Sequence, residues 1–298
     1  MHVPVYLLLP AVAALVYTVA SLLLKRGYQE GAGTLATFHW SNLIGMPVFL
    51  PLFFIHPGPM PLEEWWRPAL VAALMYSGTW LTFAAIRRGD VSMVTPILGT
   101  KVVFVALAVV SLADGGLGTG LWLAAFLTTA GIFVIGKGDL RRGKANGLAL
   151  FLCLCSSLIF GVTDVIISDW AVKFGGTAFL ASLPQFLGLY SLLSLPGSKR
   201  GALRLAPGAV RWVIVASVLL NVQGMGMGLA LAFFNDPTGV NILYSTRGLW
   251  AIIIVWCAGS WFANRERERA GRATMMCRLA GTVLITSGVV IAVVARSS

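Results

Sequence analysis

Long apolar stretches separated by short polar segments run through the whole 298-residue chain. None alternates polar and apolar positions as the strands of a membrane barrel do. A stretch of about 20 apolar residues is long enough to cross a bilayer as a helix. Ten such stretches lie at 4–24, 34–55, 68–87, 91–112, 119–136, 147–169, 176–196, 210–233, 238–260 and 275–295. The pattern therefore predicts an all-α membrane protein with ten transmembrane helices.

The composition supports a membrane protein. Hydrophobic residues make up 58% of the chain and charged residues 11%, with a mean hydropathy of +0.85. A soluble domain carries roughly 25% charged residues, so a soluble or disordered chain is excluded. The net charge of +11 would suggest nucleic acid in a soluble protein. Here the basic residues lie in short loops between apolar stretches, so we expect membrane lipid, and no nucleic acid, around the protein.

The basic loop residues lie mostly on one side of the predicted bundle. After the odd-numbered stretches there are 17 Lys and Arg, and on the other side there are 3. Basic loops stay in the cytoplasm, so the richer side is predicted to face inward. Ten spans then leave both termini outside. We expect an integral protein of a plasma membrane, and specifically of a bacterial inner membrane.

The two halves of the chain resemble each other. Shifts of 143 residues for the first two helices and 146 for the next two bring similar residues together. The matches include Tyr17 with Phe160, Asn42 with Gln185, Gly78 with Gly224, Thr100 with Thr246 and Lys101 with Arg247. The cation pair is the most informative, because charges inside these stretches are rare. Five helices is an odd number, so residues 1–140 and 141–298 are predicted to form two inverted five-helix repeats.

One segment carries a resemblance to a known family. In LTFAAIRRGDVSMVTPILGTKVVFVALAVV, a helix rich in small residues, a tight polar turn and a helix with an early proline follow one another. The counterpart LALAFFNDPTGVNILYSTRGLWAIIIVW has the same plan. With its five-plus-five layout, the chain resembles the drug/metabolite transporter superfamily, in particular its EamA-type, ten-helix members. The resemblance implies a central cavity lined by helices 1–4 and 6–9. Helices 5 and 10 would be peripheral and would stabilise the halves or a homodimer.

Lys101 and Arg247 are predicted to lie near the middle of the membrane, about halfway along helices 4 and 9. A charge facing lipid there is costly, so both are expected to face a protein interior or a cavity. One interpretation is a two-cation clamp for an anionic group, since guanidinium and ammonium groups both bind carboxylate or phosphate. The alternative is a structural ion pair, for instance with Asp164.

Asp164, in helix 6, is a second candidate, because an ionisable residue inside a membrane helix suggests a functional site. It could carry a proton, bind a cation or pair with Arg247. It could equally be an acid near the membrane interface, because Asp169 is only five residues further on.

Polar residues on helices 2 and 7 could line the same site. His39 and Asn42 lie one turn apart on helix 2, and Gln185 matches Asn42 on helix 7. Such side chains often join helices by hydrogen bonds. Lining a polar site is the alternative, and His39 could then couple transport to protons.

Four aromatic residues complete the candidate substrate site. Tyr244 and Trp250 share a helix face with Arg247, at three residues before and after it. Tyr17 and Trp80 could wall a pocket. In a chain with 10 Trp, 6 Tyr and 16 Phe, however, most aromatic residues must serve packing or the membrane interface.

The predicted function is secondary transport of a small polar metabolite by alternating access, and the two cations favour an anionic one. No P-loop is present, and three histidines without a zinc or nucleophile motif do not suggest an enzyme. We expect no cofactor and no bound metal. The alternative is a flippase for lipids or lipid-linked headgroups, since basic cytoplasmic loops also suit anionic headgroups.

Overall fold

A computed structural model describes residues 8–55, 61–89, 91–112, 118–140, 147–195, 202–234, 236–262 and 272–297. Within these ranges the chain is almost entirely helical and contains no strand. The α-helices are α1 (Leu8–Gln29), α2 (Thr34–Phe49), α3 (Trp66–Arg88), α4 (Val91–Leu98), α5 (Lys101–Leu112), α6 (Thr119–Leu140), α7 (Gly147–Phe174), α8 (Thr177–Ser194), α9 (Val210–Phe234), α10 (Pro237–Tyr244), α11 (Arg247–Ala258) and α12 (Arg272–Ser297). Over the same ranges, six helical segments are long and apolar enough to cross a membrane.

The predicted count of ten helical runs agrees with the structure, but two of the runs are interrupted. The fourth run divides into α4 and α5 at Gly99–Thr100, and the ninth divides into α10 and α11 at Ser245–Thr246. The hydrophobic pattern at 91–112 and 238–260 gives the extent of these two runs but not the interruptions within them. Each interruption lies directly before a buried cation, because Lys101 is the first residue of α5 and Arg247 is the first residue of α11.

Local hydrogen bonds explain both interruptions. The Thr100 hydroxyl donates to the carbonyl of Ile97 at 2.8 Å, and the Thr246 hydroxyl donates to that of Leu243 at 2.7 Å. Threonine hydroxyls compete in this way for carbonyls that a regular helix would use. In the first run, Pro96 lies in the last turn before the interruption. Both runs are therefore interrupted at a threonine that precedes the buried cation.

The helix boundaries follow the same shifts as the sequence matches. The starts of α2 and α8 are 143 residues apart. The starts of α4 and α10, the starts of α5 and α11, and the ends of α3 and α9 are each 146 residues apart. The two shifts that align similar residues therefore also align helix boundaries.

The helices pack in reciprocal pairs. Helix α1 lies along α9, and α3 lies along α7, while α2 lies along α8. Helix α6 lies along α12, and glycines allow this close approach. A methyl group on Gly131 would come within 2.5 Å of the carbonyl oxygen of Gly281, and one on Gly288 would come within 2.6 Å of the Thr128 hydroxyl. The α6–α12 pair thus forms a tightly packed unit.

The loops that the structure describes lie at the two ends of the helix bundle. At one end, the Lys25 ammonium donates to the carbonyl of Gly89 at 2.6 Å, and Trp40 donates to that of Leu203 at 2.9 Å. At the other end, the Thr177 hydroxyl donates to the carbonyl of Ile55 at 2.6 Å. The first end carries Lys25, Arg26, Arg87, Arg88, Arg204 and Arg211. Basic residues predicted at 141–144, 199–200 and 265–269 lie outside the described residues.

Candidate functional site: a charged central cavity

A cavity of about 200 Å³ lies inside the bundle. Its walls come from helical runs 1–4 and 6–9, that is from α1–α5 and α7–α11, and no residue of α6 or α12 lines it. This is the lining that the family resemblance implies. Among the lining residues, all in the described part of the chain, three carry a charge: Lys101, Asp164 and Arg247.

Lys101 and Asp164 form an ion pair across the cavity. The Lys101 ammonium lies 2.6 Å from a carboxylate oxygen of Asp164, and both side chains are 9% exposed. The same carboxylate oxygen accepts a hydrogen bond of 2.7 Å from the side-chain amide of Asn241, whose helix α10 meets α7 here. The structural ion pair is thus the arrangement present in the structure. Asp164 lies well inside α7, so the alternative of an acid at a helix end does not apply.

Arg247 has a different environment. Its side chain is 5% exposed, and among the described residues it forms no ion pair, while its Nε atom finds no hydrogen-bond partner. The guanidinium carbon lies 4.7 Å from the ring centre of Tyr17 and 4.4 Å from that of Tyr244. Aromatic faces attract cations, so the two rings stabilise the guanidinium without neutralising it. The alternative pairing of Asp164 with Arg247 is not the one found.

The two tyrosines are themselves held in place. Their rings meet edge to face with centres 5.9 Å apart. The Tyr244 hydroxyl donates to the side-chain carbonyl of Gln223 at 2.9 Å, and the Tyr17 side chain lies next to that of Ser21, one turn further along α1. The Nε atom of Arg247 is thus a buried donor with unused hydrogen-bonding capacity beside two fixed rings.

Six of the ten predicted site residues line the cavity: Tyr17, Asn42, Lys101, Asp164, Tyr244 and Arg247. Asn42 also joins helices, because its amide donates to the Ser191 hydroxyl at 3.0 Å. Both roles considered for Asn42 are therefore present in one side chain.

The other four predicted site residues lie away from the cavity. Gln185 donates to the carbonyl of Met46 at 2.9 Å and so joins α8 to α2. His39 is 1% exposed against the Phe38 ring, and neither of its ring nitrogens has a partner in the described structure. Trp80 is 38% exposed and packs edge-on against Phe38. Trp250 is half-buried against the apolar core. The rotation of each helix about its own axis decides whether a side chain faces the cavity, and the sequence alone does not give this rotation.

Some residues at the site were not among those predicted. Asn241 holds the Asp164 carboxylate, and Gln223 holds Tyr244. Both are amide side chains in apolar helices. Amides are rare there, and this rarity is the feature of the sequence that could have identified them. Gln223 stands next to a glycine-rich segment in which Gly224 and Gly228 line the cavity. The four-residue spacing of these two glycines is typical of close helix packing and does not indicate that they line a cavity.

The first half of the chain matches a known protein family. Residues 4–137 match the EamA-like transporter family. The predicted resemblance to EamA-type drug/metabolite transporters is thus confirmed. The match supports a membrane transporter of the drug/metabolite type rather than an enzyme.

Solved structures share the fold over almost the whole chain. Of 27 chains that match, one is described only as the crystal structure of a protein. It superposes with a TM-score of 0.69 at 13% sequence identity, over 98% of this chain and 99% of its own. An identity this low shows the fold alone. No curated protein matches the chain in sequence.

Proposed function

We propose that the protein is a secondary transporter that carries a small, polar, anionic metabolite across the membrane by alternating access. The observation that carries this proposal is the central cavity of about 200 Å³ with Lys101, Asp164 and Arg247 in its wall. Charged groups deep in a membrane protein mark substrate pathways, because their burial is costly without a functional return. Two cations against one carboxylate favour an anion.

The layout of the helices supports an alternating-access mechanism. We propose that residues 1–140 and 141–298 are inverted repeats and that they rock about the cavity between them. The coincident helix boundaries, the reciprocal helix pairs and the interruptions before both cations support this proposal. Interrupted helices next to a central site are a recurring feature of secondary transporters.

Counterflow in liposomes tests the function. Purified protein is reconstituted with a trapped pool of small organic anions, and uptake of each labelled member of the pool is measured. We expect uptake of at least one anion, and its loss in Arg247→Met. Arg211→Met is the matched control, because Arg211 lies at one end of the bundle against Trp212 and does not line the cavity.

Two outcomes would contradict the proposal. The first is an absence of counterflow for every anion in the pool, with the protein intact. The second is movement of labelled lipid between leaflets without solute flux, which would favour the flippase.

A further inference from the structure

The charges around the cavity do not balance. Asp164 compensates Lys101 at 2.6 Å, and no described carboxylate compensates Arg247. The three charged side chains therefore leave one net positive charge. An uncompensated buried charge is costly, so Arg247 has the most to gain from an arriving anion. Its partnerless Nε is a donor already present in the site.

The two cations otherwise have corresponding surroundings. Lys101 corresponds to Arg247, and Phe160 corresponds to Tyr17, under the shifts that relate the two halves. The Lys101 ammonium lies 5.9 Å from the Phe160 ring centre, and the Arg247 guanidinium carbon lies 4.7 Å from that of Tyr17. Each cation thus faces an aromatic ring on the first helix of the opposite half.

The correspondence fails at the carboxylate. Asp164 lies four residues after Phe160, on the same face of α7. The equivalent position, four residues after Tyr17 on α1, is Ser21. Ser21 is fully buried, next to the Tyr17 side chain. The second half thus supplies a carboxylate to the cation of the first half, whereas the first half has a neutral side chain at the equivalent position.

We infer that the cavity binds a singly charged anion whose carboxylate lies at Arg247, in the place that Asp164 occupies at Lys101. This rests on the proposed function and names the substrate class. The guanidinium fork can hold both carboxylate oxygens. A neutral ligand would leave Arg247 uncompensated, and a doubly charged ligand would bring one negative charge too many.

The uncharged walls of the cavity indicate which group the carboxylate of the ligand is attached to. Apart from the three charged residues, its walls are mostly aliphatic and aromatic, with Phe83, Phe160 and Leu183 among them. An apolar cavity of about 150 Å³ holds benzene. The volume here, about 200 Å³, therefore suits a ring or branched aliphatic group on a short arm. A compact monocarboxylate is the expected class.

The inference can be tested by binding, separately from transport. Three probes share one body and differ in charge: 3-phenylpropionamide is neutral, 3-phenylpropionate is singly charged and phenylsuccinate is doubly charged at neutral pH. Titration calorimetry on the full-length protein in nanodiscs measures their affinities. We expect the monoanion to bind at least about tenfold more tightly than the other two, the typical difference for one charge-assisted hydrogen bond.

Two substitutions change the charge balance in opposite directions. Ser21→Asp supplies the missing carboxylate, and we expect it to weaken binding of 3-phenylpropionate by at least about tenfold. Ser21→Asn, of similar size but neutral, is the control and should retain binding. Asp164→Asn removes the carboxylate that pairs with Lys101 and leaves two uncompensated cations, so the protein should now bind phenylsuccinate most tightly. The double variant Ser21→Asp with Asp164→Asn has one net positive charge again and should recover the monoanion preference.

The outcomes separate this inference from the proposed function. Equal affinity for all three probes, affinity for none of them, or a monoanion preference unchanged by Ser21→Asp would overturn the inference. If Ser21→Asp does not fold, the shift expected for Asp164→Asn decides instead. Selective binding without counterflow would contradict the transport proposal alone. Counterflow without a preference for monoanions would contradict this inference alone.

Discussion

Lys101 and Arg247 occupy corresponding places, and their different partners give them different roles. A buried ion pair is weak evidence of net stabilisation, but removing one partner strands the other charge. Lys101 with Asp164 therefore acts as a neutral unit within the wall of the cavity. Arg247 remains the charged group to which we assign recognition of the proposed anion.

Replacing one member of the Lys101–Asp164 pair should reveal this coupling. Lys101→Met leaves a buried carboxylate without its cation, and we expect a loss of about 3–5 kcal/mol in unfolding free energy. Adding Asp164→Asn should recover most of it. Unfolding of the single and double variants in mixed micelles completes a double-mutant cycle.

The exposed pair at the end of α7 is the matched control. Lys173 and Asp169 lie 2.8 Å apart with side chains 63% and 50% exposed. Their cycle, with Lys173→Met and Asp169→Asn, should show a coupling below about 1 kcal/mol. Full stability in Lys101→Met would show that the buried pair is not coupled as the structure suggests.

At the scale of elements, α6 and α12 support the bundle without contributing to the cavity. Their contact depends on glycines, which let two backbones approach closely. We expect substitutions in this contact to change stability more than ligand binding, because no residue of either helix lines the cavity.

Two glycines of α6 allow a matched comparison. Gly131→Ala would place a methyl group 2.5 Å from the Gly281 carbonyl oxygen, whereas nothing lies within 4 Å of a methyl group at Gly136. Gly131→Ala should therefore destabilise the protein by about 1–3 kcal/mol. Gly136→Ala should be neutral or stabilising by up to about 1 kcal/mol, from helix propensity. Thermal unfolding in detergent measures both, and equal effects would contradict the proposed close contact.

At the scale of the whole molecule, the distribution of basic residues predicts the orientation. Lys25, Arg87 and Arg204 belong to the end predicted to face the cytoplasm. Trp66 and Trp170, both within about 5 Å of the Arg67 guanidinium, belong to the other end. Aromatic residues at this depth are typical of a membrane interface.

Cysteine labelling in intact cells tests this orientation. In a cysteine-free background, Leu62→Cys should react with an impermeant maleimide added outside, since Leu62 is 87% exposed between α2 and α3. Gly208→Cys, exposed directly before α9, should react only after the cells are opened. The reverse pattern would place the termini inside.

The sequence by itself determined the all-helical membrane class, the count of helical runs and the rarity of charges inside them. These depend on the length and polarity of local segments, because the hydrocarbon core of a bilayer requires an apolar helix of a fixed length. Only the tertiary structure decided that Asp164 compensates Lys101 and not Arg247, and that His39, Trp80, Gln185 and Trp250 lie away from the cavity. Which partner a side chain meets depends on helix rotation and on contacts between distant segments. The interruptions before Lys101 and Arg247 are an intermediate case, because the threonine hydrogen bonds beside them are local, but a threonine in an apolar run does not by itself interrupt a helix.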